Sequence, residues 1–163
     1  MSLAEAAAKA DELAQAGDER ALATLRVQWD EEIEFAARDS DYRVRAQGYR
    51  ALAQFRFRQK IQLLRRGLED DSPAVRGSAL IALEAFSRDH PGDVNGYRAL
   101  LHELAARDPN AAVRRLAVVC LKNGTANRDT IQLLEGIAES DEADADLRKT
   151  ARVVHTALRR KAK

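Results

Sequence analysis

The sequence predicts an all-α protein assembled from repeated helix pairs, and three observations lead to this fold class. A short string that starts with aspartate and ends in Val-Arg occurs at residues 39–45, 70–76 and 108–114. Apolar residues follow each copy at intervals of three and four positions, which places them on one face of a helix. Aromatic residues make up 5% of the chain against 45% apolar residues, so many of the side chains that favour strands are scarce.

The spacing of the copies indicates the size of the repeat. The apolar–basic pairs begin at Val44, Val75, Val113 and Leu147, so successive copies are 31, 38 and 34 residues apart. This distance is typical of two-helix repeats rather than of a strand-based unit. The fourth copy is looser, because Asp141 lies six residues before Leu147.

Each string also carries the chemistry of a helix start. An aspartate or serine before a helix accepts hydrogen bonds from its first N–H groups, and proline is tolerated at the first helical position. Ser72-Pro73 and Asp108-Pro109 therefore predict helix starts. A small residue four positions after each Val or Leu lets a neighbouring helix come close. These small residues are Gly48, Ala79, Ala117 and Ala151.

Nine helices are predicted between the turn signals. Gly17 ends the alanine-rich first helix, and His90-Pro91-Gly92 is the clearest break. The predicted helices cover residues 3–16, 19–37, 42–56, 58–69, 73–87, 94–106, 110–122, 128–138 and 144–160.

These residues resemble a known repeat family. The pattern D-x-x-x-x-V-R-x-x-[AG]-x-x-A-L is similar to the second helix of HEAT repeats, and residues 17–22 resemble the junction between units in the HEAT-like repeats of phycobilisome lyases. The resemblance covers most of residues 17–160 and implies a right-handed α-α superhelix, a HEAT-like solenoid. On this interpretation residues 1–163 form a single domain. It consists of a capping helix at 1–17 and repeats at approximately 18–56, 57–88, 92–124 and 126–160.

The resemblance also implies a role for the charged ends of the strings. In the family, the aspartate and arginine of successive repeats tend to form a polar ladder between units. By resemblance, that structural role falls on Asp39, Asp70, Asp108, Arg45, Arg76 and Arg114.

Residues 43–66 are the best candidate for a binding surface. Eight positive charges and no acidic residue occur there, with Tyr49, Phe55 and Phe57 between them. A basic stretch with interleaved aromatic residues is typical of a surface that follows a nucleic-acid backbone. The residues that would contact an anionic partner are Arg43, Arg50, Arg56, Arg58, Lys60, Arg65 and Arg66.

A structural interpretation of the same stretch is favoured. It assigns the aromatic side chains to the core, Arg45 to the ladder, and the remaining cations to neutralising the acidic segment at 30–41. An acidic block beside the basic stretch would repel nucleic acid. We expect Arg56, Arg58 and Lys60 to be exposed, because they span a junction between two helices.

No residue pattern predicts a catalytic site, a cofactor or a metal ion. Trp29-Asp30 resembles the tryptophan and aspartate of helical-repeat DNA glycosylases, but core packing is the expected role of Trp29. Cys120 is predicted to be a buried small residue rather than a nucleophile. The three histidines are far apart and have no cysteine or carboxylate at metal-ligand spacing. They are His90, His102 and His155.

Composition excludes several other classes. The net charge is +1, so the charge of the whole chain predicts neither a nucleic-acid nor a membrane partner. The single cysteine favours a reducing compartment. No apolar run reaches the roughly 20 residues of a membrane helix, and the start of the chain lacks the pattern of a signal peptide. We therefore expect a cytoplasmic protein.

The predicted function is a non-enzymatic scaffold or adaptor. It would bind a protein or peptide along the concave surface formed by the second helices. The sequence does not identify the partner. One alternative is a nucleic-acid-binding protein that uses residues 43–66. The other is a HEAT-like bilin lyase, which is supported only by the repeat resemblance.

Overall fold

The computed structural model describes residues 1–163 and contains nine α-helices and no strand, which confirms the predicted fold class. A 3-10 helix at Arg58–Leu63 precedes the fourth α-helix. The α-helices are α1 (Leu3–Gln15), α2 (Glu19–Ala37), α3 (Tyr42–Gln54), α4 (Leu64–Leu68), α5 (Pro73–Ser87), α6 (Pro91–Arg107), α7 (Ala111–Leu121), α8 (Arg128–Ala138) and α9 (Ala145–Lys161). The chain forms two compact units, residues 1–86 and 87–163.

In the first unit, α1 packs on α2 and α3, and α2 packs on α3. The core between them contains Leu22 and Ile33 of α2 and Leu52 of α3, all fully buried. Tyr49 of α3 is buried as well, and its hydroxyl donates a 3.1 Å hydrogen bond to the carbonyl oxygen of Leu63. That bond ties α3 to the segment that enters α4.

The predicted close approach of helices is clearest at Gly48. A Cβ added at this position would lie 2.8 Å from the backbone nitrogen of Ala37 and 3.1 Å from the Cβ of Ala36. The other three small residues, Ala79, Ala117 and Ala151, are fully buried. Helix α3 therefore meets the end of α2 almost backbone to backbone.

The end of α3 depends on two arginines. Arg56, the second residue after the helix, has a φ of 51°, a left-handed conformation that helix ends usually give to glycine. Its guanidinium binds the carbonyl oxygens of Ala53 and Gln54, and Arg26 of α2 donates to the carbonyls of Phe55 and Arg56. These contacts satisfy carbonyls that no further helical turn can reach.

The segment predicted as one helix at 58–69 is instead a 3-10 helix followed by the short α4. Lys60 has φ −104° and ψ 22°, which interrupts the helical path. The amphipathic spacing of Ile61, Leu64 and Leu68 correctly indicated a helical segment. It did not predict the 3-10 turn or the contact of Lys60 with α2.

In the second unit, α6 packs on α7, α7 on α9, and α8 on α9. Its core includes Leu101 of α6, Val118 of α7, Leu134 of α8 and Leu158 of α9, all fully buried. Cys120 is also fully buried, as predicted.

The starts of α6 and α7 differ from the prediction in informative ways. Helix α6 begins at Pro91 rather than at residue 94, because proline fits the first helical position and the break lies just before it. Helix α7 begins at Ala111, and its N-cap is Asn110, whose side chain accepts from the Val113 N–H. Asp108 therefore does not cap α7; it is the residue at which α6 ends.

Gly48→Ala should lower the free energy of unfolding by about 1–3 kcal/mol, the usual cost of overpacking, because its Cβ meets backbone atoms that cannot move aside. The matched control is Gly136→Ala on α8, where a Cβ would meet no atom within 4 Å. That control should stabilise by up to about 1 kcal/mol through helix propensity. Urea denaturation measures both, and equal effects would show that α3 and α2 are not in close contact.

Candidate functional site

A partly buried ion pair joins Arg45 of the first string to Asp70 of the second. The guanidinium Nε and Nη2 donate to the two carboxylate oxygens at 2.8 and 3.0 Å, a bidentate pair. Only 20% of the Arg45 side chain and 11% of the Asp70 side chain is exposed. Burial alone would raise the pKa of Asp70, but the hydrogen bonds from Arg45 and the Ser72 N–H outweigh burial and lower it.

Each aspartate of the three strings also closes a local turn. Its carboxylate accepts a hydrogen bond from the backbone N–H two residues ahead, an Asx turn. The donors are Asp41 for Asp39, Ser72 for Asp70 and Asn110 for Asp108, at 2.8–2.9 Å. The aspartate thus shapes the turn before the helix instead of capping the helix itself.

The arginines hold the same turns from the other side. Arg45 Nη1 donates to the carbonyls of Asp39 and Ser40, both at 3.0 Å. Arg76 Nη1 repeats this with the carbonyls of Asp70 and Asp71, at 2.9 and 3.1 Å. In the second unit, Arg114 departs from the pattern, since its Nε donates to the carbonyl of Ala105.

An open groove lies beside the paired strings of the first unit. It has a volume of about 630 Å³ and is formed where α3 and α5 begin. Tyr42 is its large side chain and is 50% exposed, while Pro73 and Ala74 supply further apolar surface. Its lining residues are Ser40, Tyr42, Arg45, Asp71, Ser72, Pro73 and Ala74.

Lys60 is buried, so the expectation that it is exposed is wrong. Its Nζ contacts the carboxylates of Asp30 and Glu34 on α2 and lies 5.5 Å from the centre of the Phe57 ring. Burial alone would lower the pKa of Lys60, but the hydrogen bonds that its ammonium group donates to the two carboxylates outweigh burial and raise the pKa. The position is buried because the 3-10 turn brings it onto the acidic side of α2.

The other cations of the basic stretch are mostly matched to local partners. Arg43 pairs with Asp41 at 2.9 Å, Arg56 with Asp11 at 2.9 Å, and Arg65 with Glu69 at 3.6 Å. Arg50 lies 3.4 Å from the Ser78 hydroxyl, and Arg58 and Arg66 are exposed.

The aromatic residues of this stretch are not available for base stacking. Tyr49, Phe55 and Phe57 are all less than one-tenth exposed. Their burial agrees with the structural interpretation of the stretch. Of its cations, Arg43 and Lys60 contact carboxylates within residues 30–41, whereas Arg56 and Arg65 pair with carboxylates outside that segment. Residues 43–66 do not present the aromatic platform on which bases of a single strand would stack.

The remaining candidates are dispersed. Trp29 is only half-buried, so its predicted place in the core is not fully realised. His102 bonds the Thr130 hydroxyl at 2.7 Å, His90 is exposed, and His155 has a buried Nε2 without a hydrogen-bond partner. No group of three His, Cys, Asp or Glu side chains is arranged to hold a metal ion. None of the helices combines the length and the hydropathy needed to cross a bilayer.

The family model of HEAT repeats matches residues 30–95, a range that contains the Arg45–Asp70 pair and the groove. Residues 30–95 are HEAT repeats. No curated protein and no solved structure matches the chain. HEAT repeats commonly mediate protein–protein interactions.

Two features of the HEAT-repeat unit were missed by sequence reasoning. The residues around Lys60 gave no signal of its burial, because the carboxylates that it contacts lie about 30 positions earlier in the chain. The groove at Tyr42 joins residues about 30 positions apart, and no pattern within either string indicated it.

Lys60→Met should reduce the free energy of unfolding by about 1–3 kcal/mol, because it leaves Asp30 and Glu34 side by side without their cation; their partial exposure keeps the loss below that of a fully buried pair. Lys9→Met is the control, since Lys9 is 53% exposed and lies 3.9 Å from its partner Glu12. That change should stay within about 0.5 kcal/mol. Urea denaturation compares them, and an unaffected Lys60→Met variant would contradict a structural role for the buried cation.

Asp70→Asn should destabilise the protein at pH 7 by about 1–3 kcal/mol through loss of the charge-assisted pair with Arg45. Because folding lowers the pKa of Asp70 below its ordinary value of 3.8, its contribution is present above that pH and is lost as pH falls through the folded-state pKa. The stability difference between wild type and variant should therefore be the same at pH 5 as at pH 7 and should shrink when urea denaturation is repeated below about pH 3. Asp71→Asn, at the exposed neighbouring aspartate, is the control. A difference that stays constant with pH would argue against an ionised Asp70 in the pair.

Proposed function

We propose that this HEAT-repeat protein is a non-enzymatic interaction module that binds an extended segment of a partner protein across its second helices. The groove between the beginnings of α3 and α5 carries this proposal. It is open, it follows the junction of two successive strings, and its walls are fixed by the Asx turns and by the Arg45–Asp70 pair. A preformed groove reduces the entropy lost when a partner binds.

The groove favours a partner segment with an apolar anchor. The half-exposed Tyr42 ring, Pro73 and Ala74 offer apolar surface, and tyrosine is among the residues that most often dominate binding energy. Asp71 is exposed at the rim, whereas the charge of Arg45 is matched by Asp70. The segment that fits best therefore places an apolar side chain against Tyr42 and a basic one near Asp71.

The ladder role of the six charged residues is part of the same proposal. Asp39, Asp70, Asp108, Arg45, Arg76 and Arg114 would hold the loops between helices in a fixed register, so that the groove keeps its shape. The bidentate Arg45–Asp70 pair and the repeated carbonyl contacts of Arg45 and Arg76 support it.

Tyr42→Ala should weaken partner binding at least tenfold without changing the far-UV circular dichroism spectrum. The partner is first captured from a cell extract with the wild-type chain and identified by mass spectrometry. The dissociation constant of the purified partner is then measured by isothermal titration calorimetry for each variant.

The matched control is Phe35→Ala, which removes an exposed aromatic side chain on α2 outside the groove. It should bind the partner as the wild type does. Equal affinities for the wild type and Tyr42→Ala would show that the groove is not the binding site.

A further inference from the structure

The most exposed large apolar side chains lie on two helices of opposite charge. Apart from Met1, they are Val27 and Phe35 on α2, with 79% and 72% exposed, and Val153 on α9, with 56% exposed. A single exposed apolar side chain is ordinary. When charges of one sign surround it, however, the surface can bind an apolar group and also select a partner of opposite charge.

The outer side of α2 forms an acidic face, made of Val27, Glu31, Glu32 and Phe35. Val27, Glu31 and Phe35 are spaced by four residues and lie along one side of the helix, and all four residues are exposed. Segment 30–34 holds four carboxylates, of which Asp30 and Glu34 share the single cation Lys60. The side chains of Glu31 and Glu32 are exposed to solvent.

The outer side of α9 forms a basic face, made of Lys149, Val153, Thr156 and Arg160. Steps of four, three and four residues place them along one side of the helix, opposite the buried Leu147, Val154 and Leu158. The exposed valine therefore lies between two cations. Val27 to Phe35 spans about 12 Å and Lys149 to Arg160 about 16 Å at the helical rise per residue, so the faces are of similar length.

We propose that the acidic face of α2 binds the basic face of α9 of a second copy of this chain. Apolar side chains meet at the centre, and carboxylates meet cations around them. The two faces differ, so the contact is heterologous and repeats from copy to copy, producing open chains or rings rather than a closed two-fold dimer.

The small area that two helix faces can bury limits the affinity of this association. A contact of one helix face on another falls below the roughly 1,200–2,000 Å² of a stable standard interface, so it should be weak and seen at high protein concentration. Since its charges are solvent-exposed at the rim, added salt should screen them and weaken it further.

Sedimentation velocity of the full chain tests the proposal at protein concentrations from about 10 µM to 1 mM and in about 50 and 500 mM NaCl. The wild type should form species larger than dimers as concentration rises, and association should weaken at the higher salt. A wild type that remains monomeric throughout overturns the proposal. The acidic face would then be available to a different protein with a basic surface.

Charge reversal identifies the surfaces. Glu31→Lys with Glu32→Lys makes both faces basic, and Lys149→Glu with Arg160→Glu makes both acidic, so each double variant should associate at least tenfold more weakly than the wild type. An equimolar mixture of the two should regain association, because every contact then joins opposite charges. The control reverses two exposed carboxylates outside both faces, Glu12→Lys and Glu103→Lys, and should behave as the wild type does. Association that survives either reversal, or a mixture that stays monomeric, overturns the pairing of these faces.

Discussion

In the first unit, the aspartate and arginine side chains of two strings satisfy backbone groups of the turns that precede α3 and α5. A turn between two helices leaves backbone groups without helical partners, and each must be satisfied by another donor or acceptor. Asp70 accepts the Ser72 N–H while Arg76 binds the carbonyls of Asp70 and Asp71. Arg45 does the same one repeat earlier and also pairs with Asp70. One pair of residue types thus closes a turn and joins it to the next.

Close contact between helices is the second requirement, and it depends on small side chains at the contact positions. Helix α3 reaches α2 because Gly48 has no Cβ, and the corresponding residues of the other strings are buried alanines. Small residues at these positions permit dense packing of the helices.

The sequence predicted the helices well because they depend on local periodicity and on turn residues. It placed Asp108 at the cap of α7, which is wrong because the Asx turn moves the cap two residues on, to Asn110. Both residues are good caps, so propensity alone does not distinguish them. Lys60 was expected at the surface since nothing local signals burial; its place depends on two carboxylates about 30 positions earlier in the chain. The groove at Tyr42 likewise combines two strings that are distant in sequence.

Each compact unit contains one residue that can report on its unfolding. Trp29 is the only tryptophan and belongs to the first unit, while Cys120 is the only cysteine and is fully buried in the second. A buried thiol reacts with a modifying reagent only when its surroundings open, so its reaction rate reports the population of opened states. Indole fluorescence follows the first unit and thiol reactivity the second, which makes the stabilities of the two units separately measurable in the natural sequence without any introduced label.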